Sequence, residues 1–250
     1  MSNGDNVNIY GVTNRALPGI VQDNTLGVAR LGRYGEVMHQ TIASGKQHPL
    51  ADEGSYWVAT NPTIDTGIAG VTASQTAADT TPTLFIRNNS TTQNLYLDYI
   101  KLQVTAAGTN GTDFRYAVKI DKGVSRYTSG GSTITPVNPN TNIGTATAPS
   151  ATVKFGALTC AAATSDMRII SSGVLRTGVI KVIGDTYLFT CGGAMSATGV
   201  TGVAGTAVAQ VVVSLPPIVL GPSDQLFLNE YATSQTVGAS YTFDLGFWMR

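Results

Sequence analysis

The hydrophobic positions of this chain fall into two regimes that meet near residue 82. Beyond that point apolar residues recur at every second position, the period of a strand with one face buried. In LYLDYIKLQVTA, residues 95–106, the set Tyr96, Asp98, Ile100, Leu102 and Val104 alternates with Leu95, Leu97, Tyr99 and Lys101. In DFRYAVKID, residues 113–121, Phe114, Tyr116, Val118 and Ile120 line one face. GTNGT lies between the two, and Asn-Gly tolerates positive φ, so these segments are predicted to pair as a hairpin. TLFIRN, ATVKFGALT, MRIISSGVLR, GVIKVIGDTYLFTC, VAQVVVSL and SDQLFLNEYA also carry strand composition. The final ASYTFDLGFWM sets Tyr241, Phe243, Leu245 and Phe247 against Thr242, Asp244, Gly246 and Trp248. In LPPIVLGPSDQLFL, Pro216–Pro217 ends one strand and Gly221–Pro222 opens a turn holding Ser223 and Asp224. Residues 123–150 and GGAMSATGVTGVAGTAVA have few apolar anchors and read as loops.

Roughly eight or nine strands without an amphipathic helix predict an all-β antiparallel sandwich. The long, uneven connections favour a Greek-key jelly roll, with an immunoglobulin-like sandwich second. Before residue 82 the pattern is poor. IYGV, GIVQ, LGVARLG and YWVA are short apolar pieces separated by Gly, Pro and Asn, with one helical turn expected around residues 30–42. The expectation is an extended, mostly irregular N-terminal arm over residues 1–82 and a jelly-roll domain over 83–250. An arm of this kind docks through its large apolar side chains. The candidate anchors are Tyr10, Leu17, Ile20, Leu26, Val28, Leu31, Tyr56 and Trp57.

Composition sharpens this picture. Only 12% of residues are charged and the formal net charge is zero, while 42% are hydrophobic. A core can form, copies repel one another little, and nothing draws the chain to nucleic acid or an anionic membrane. No stretch reaches the roughly 18 apolar residues of a membrane helix, and MSNGDNVNIYGV lacks the basic start and apolar run of a signal peptide. A soluble chain made in the cytosol, and exported only by some other route, is expected. Cys160 and Cys191 are either one disulfide or two buried thiols.

Candidate chemistry is sparse. His39 and His48 share the stretch GEVMHQTIASGKQHPLADEGSYWVATN, but their spacing fits neither a helical metal pair nor HExxH, and there is no GxSxG. Asp98, Asp113, Asp121, Asp166, Asp185, Asp224, Glu230 and Asp244 are expected at strand ends or on solvated faces. The glycine-rich stretches lack the lysine and helix of a phosphate loop. No catalytic residue, metal ligand or cofactor is assigned. For ligand binding through loops, Tyr127 with Asn138, Asn140 and Asn142 is the candidate patch, of a type that holds glycans.

LADEGSYWVATNPTIDTGIAG, LYLDYIKLQVTAAGT, RYTSGGS, PPIVLGPSDQLFL and YTFDLGFWMR together resemble structural proteins of tailed bacteriophages. The resemblance is to jelly-roll proteins of the capsid-decoration, cement or head-fibre kind, and covers about residues 50–250. It implies a virion component made in the host cytoplasm. The implied partners are capsid or other virion proteins and further copies of the chain, with a trimer favoured. It implies no enzymatic activity. The other reading is a receptor- or glycan-binding module of a tail or spike.

Overall fold

A computed structural model describes residues 47–71, 77–144, 148–192 and 208–250. After the short helix α1 (Gln47–Asp52) come β1 (Tyr56–Thr60), β2 (Ile68–Ala69), β3 (Leu84–Asn88), β4 (Leu95–Ala106) and β5 (Thr112–Asp121). They are followed by β6 (Tyr127–Ile134), β7 (Ala151–Cys160), β8 (Arg168–Arg176) and β9 (Thr186–Cys191). β10 (Gln210–Leu215), β11 (Val219–Leu220), β12 (Gln225–Thr233) and β13 (Ser240–Met249) complete the chain.

Eight of these strands reproduce jelly-roll order. One sheet runs β1-β13-β4-β9 and the other β3-β12-β5-β8, and every pair in both is antiparallel. Numbered along the chain, the sheets hold strands one, eight, three, six and two, seven, four, five, the Greek-key pattern expected from the sequence. The remaining strands are additions. The antiparallel pair β6–β7 widens the second sheet beyond β3, and β10 lies parallel to β9 at the edge of the first. Apolar alternation explains the packing. Phe243 of β13 stacks on Phe155 of β7 with ring centroids 4.4 Å apart, joining the sheets through the core. Each such fully buried ring contributes roughly 1.5–3 kcal/mol.

Three expectations need correction. The first is the boundary at residue 82. The compact body starts at Leu50, because β1 is the first jelly-roll strand and pairs with β13 from Tyr56↔Trp248 to Thr60↔Asp244. Residues 77–81 then close over the outer face of the second sheet. Asn229 Nδ2 donates to the carbonyls of Ala78 and Thr81, and Lys119 Nζ to that of Ala77. The anchors Tyr10, Leu17, Ile20, Leu26, Val28 and Leu31, together with His39 and residues 193–207, lie outside the described residues.

The second is the hairpin of residues 95–106 and 113–121. β4 and β5 belong to different sheets. The connection is an arch, with Gly108, Asn110, Gly111 and Asp113 all at positive φ. Alternation reports that one face of each strand is buried and says nothing of which neighbour it pairs with. The alternation in β4 also changes phase, because register with β13 skips from Tyr99↔Gly246 to Leu97↔Phe247 and leaves Asp98 as an extra residue. This β-bulge puts Leu95 and Leu97 on the core side together with Ile100, Leu102 and Val104.

The third lies in 123–150, where YTSGGSTI is strand β6. Its register slips twice against β7, and Gly130 and Gly131 take φ of 83° and 62° there. A Cβ on Gly130 would fall 2.3 Å from the Ala157 carbonyl oxygen. The Gly221–Asp224 turn forms as expected, with Asp224 N–H donating to Gly221 O at 3.0 Å. Cys160 and Cys191 are buried and not bonded to each other, and burial pushes the Cys160 thiol up to about 11 against the opposing charge of Arg126, which disfavours the reactive thiolate.

Candidate functional site

The sandwich interior holds charge that alternation did not announce. Along β12, Leu226, Leu228 and Ala232 face the core, and Glu230 occupies the position in phase with them. Its side chain is buried between the sheets. Opposite, the connection 177–185 between β8 and β9 drops Lys181 into one end of the sandwich, where the residue is 1% exposed. Lys181 Nζ lies against Glu230 Oε1 and the Tyr241 hydroxyl. Aromatic rings surround the amine: Phe114, Tyr241 and Tyr187 have centroids 4.3, 4.7 and 5.8 Å from Nζ. Among described residues Glu230 Oε1 takes no hydrogen bond of good geometry beyond its contact with the lysine.

A second pair holds this connection in place. Arg176 Nη1 donates to both oxygens of Asp185, at 2.8 and 2.7 Å. Asp185 also accepts from the backbone N–H groups of Val182 and Ala209 and from the Tyr187 hydroxyl. Both charges are buried, and the many donors to Asp185 offset its desolvation. With residues 182 and 185 tied to one carboxylate, the backbone around Lys181 has little freedom.

Electrostatics in the pocket favour uncharged forms. Burial lowers the Lys181 ammonium well below its ordinary range, with Asp185 opposing it. Burial raises the Tyr241 phenol, with smaller contributions from Tyr187 and Asp185. The Tyr187 phenol is raised by burial first and then by Asp185. An amine, a carboxyl group and two phenols therefore meet in a buried space that disfavours the ammonium and phenolate forms. Such a space supports proton transfer and acyl chemistry between the chain's own groups.

The residues singled out from sequence are placed elsewhere. Tyr56 and Trp57 are each 5% exposed within their own body. Trp57 enters the core with Ala59, while Tyr56 lies over Gly246 and donates to Asp98 Oδ2 at 2.9 Å. A side chain buried in its own fold is not available to anchor on a neighbour, so these two are corrected from assembly anchors to core residues. The bulge residue Asp98, together with Asp121, Asp185 and Glu230, is buried rather than on a solvated face.

The loop-binding patch does not assemble. Tyr127 begins β6 and packs on Phe85, with its hydroxyl donating to Gly130 O. The asparagines follow the other end of that strand, a run of roughly 20 Å. Asn140 Nδ2 donates to the carbonyls of Ala51 and Asp52 at the end of α1, and Asn138 Nδ2 to that of Gly54. Asn142 N–H in turn donates to Asn140 Oδ1. These amides serve the fold. His48 is exposed in α1. Among the described residues no three His, Cys, Asp or Glu side chains converge as a metal site, and no helix is long and apolar enough to cross a membrane.

No protein-family model, curated protein or solved structure matches this chain. The sequence did hold one signal for the buried pair. Glu230 sits in the apolar phase of QLFLNEYA, where a carboxylate needs a buried partner.

Proposed function

We propose that this protein is a non-enzymatic structural component of a bacteriophage virion, of the capsid-decoration or cement kind. In this reading it is made in the host cytoplasm, associates with copies of itself as a trimer, and binds the shell or neighbouring subunits through residues 1–46. The observation that supports it most is the complete eight-strand jelly roll, which fits the sequence resemblance. A rim of apolar side chains at the β9–β10 edge adds to it. Ile183, Val208 and Val212 are 63%, 49% and 38% exposed, on a chain whose low charge does little to keep copies apart. The glycan-binding alternative has lost its candidate patch.

The test is a binding assay on purified particles that lack this protein. Full-length chain is expected to bind. A chain of residues 47–250 is expected to stay folded by circular dichroism and to lose particle binding. Retained binding by the shorter chain would overturn the role given to residues 1–46. A cut at residue 60 is unsuitable, because it removes β1 from the jelly roll.

A further inference from the structure

We propose that Lys181 and Glu230 join in an intramolecular isopeptide bond, a covalent staple between the β8–β9 connection and strand β12. The inference stands independently of the virion reading, since it rests on the interior of the body alone.

Three observations carry it. Nucleophile and electrophile are in direct contact, Nζ against a carboxyl oxygen, in a position fixed by the Arg176–Asp185 anchorage and the Tyr241 hydroxyl. Two groups held so are the equivalent of very concentrated reactants, with effective molarities on the order of 10⁵–10⁸ M in well-oriented cases. Both partners are buried, and the lysine amine lies among aromatic rings; burial of this kind favours uncharged forms over charged ones. Finally, burial keeps bulk water from the site, so the amide once formed is shielded from hydrolysis.

The step balances without any co-reactant. Neutral Lys181 Nζ attacks Cδ of the protonated Glu230 carboxyl. The Nζ–Cδ bond forms and a Cδ–O bond breaks. The departing hydroxyl takes one amine proton and leaves as water. Nothing is oxidised or reduced. Tyr241 acts as a positioning residue that fixes Nζ. The product replaces a buried amine and carboxyl group by a single neutral amide in the same place.

Mass spectrometry of the purified full-length chain under denaturing conditions tests this. The expected result is a chain one water lighter than its sequence, and a branched proteolytic peptide joining the segments that carry Lys181 and Glu230. A chain at its sequence mass, with Lys181 open to amine-reactive label after denaturation, would overturn the proposal. So would a water loss that maps elsewhere, such as to a succinimide at an aspartate. Two variants sharpen the reading. Glu230→Gln is expected to reach the same linked mass by losing ammonia instead of water, and Lys181→Arg to stay at its full unlinked mass. The wild-type peptide map decides the matter even if either variant misfolds.

Discussion

Two buried ion pairs in this body sit in opposite chemical surroundings. Around Asp121 and Arg126 nearly every polar atom is matched. Asp121 accepts from Arg126 Nη1 at 3.0 Å, from both the N–H and hydroxyl of Thr164, and from Lys122 N–H. Arg126 also donates to the carbonyls of Ala161 and Asp79, and lies 4.5 Å from the Phe227 ring centroid. Around Lys181 and Glu230 the neighbours are chiefly aromatic rings, and the two groups have mainly each other and one phenol. A charge that is fully hydrogen-bonded stays charged and fixes a loop; among the described residues the second pair has few donors, and burial of that kind favours uncharged forms. The first pair ties the start and end of the β6–β7 insertion to the jelly roll. The second places an amine against a carboxyl oxygen at one end of the sandwich.

This contrast can be broken from either side. The largest effect is expected at the satisfied pair. Arg126→Met removes its bonds to Asp121, Asp79 and Ala161 and leaves a buried carboxylate without its cation, which should cost about 3–5 kcal/mol. Urea unfolding measures it, and a loss below about 1 kcal/mol, the size of an exposed pair, would show that this network does not hold the β6–β7 insertion to the body. A smaller effect follows from pH. Burial opposes ionisation of Asp121, but hydrogen bonds from Thr164, Lys122 and Arg126 outweigh it and hold the carboxyl below its ordinary 3.8. A depressed folded pKa stabilises above the unfolded value and loses that contribution as pH falls through the folded one. Stability should therefore drop below about pH 4, and Asp121→Asn should flatten that limb of the urea-midpoint curve. An unchanged acid limb in the variant would remove Asp121 from the explanation. The linked pair has no counterpart in this curve, since an amide does not titrate there.

Much of the fold was legible in the sequence because burial on one face writes a period of two. The final strand, the Gly221–Asp224 turn and the all-β jelly roll follow from such local signals. Pairing did not, since β4 and β5 show the same alternation whether they form a hairpin or an arch between sheets. β1 escaped because YWVAT is a five-residue strand among Gly, Pro and Asn, and its partner β13 lies nearly the whole chain away. Tyr56 and Trp57, expected from sequence as assembly anchors, are instead buried in their own body. Their docking site is the molecule's own last strand, where Gly246 leaves room for the Tyr56 hydroxyl that a Cβ would meet at 2.3 Å. The candidate site was the least legible part. Lys181 carries no periodic signal in a loop, and only the apolar phase of Glu230 pointed inward.

The most direct measurement is equilibrium unfolding of the double variant Lys181→Met, Glu230→Met against the wild-type chain. A bond between residues 181 and 230 closes a loop of about 50 residues, for which the chain-entropy relation for cross-links gives roughly 4 kcal/mol. The variant is expected to be less stable by about that amount. A variant as stable as the wild type, or more so, is the known response of a buried non-covalent ion pair to apolar replacement, and would contradict the claim that these two residues are joined.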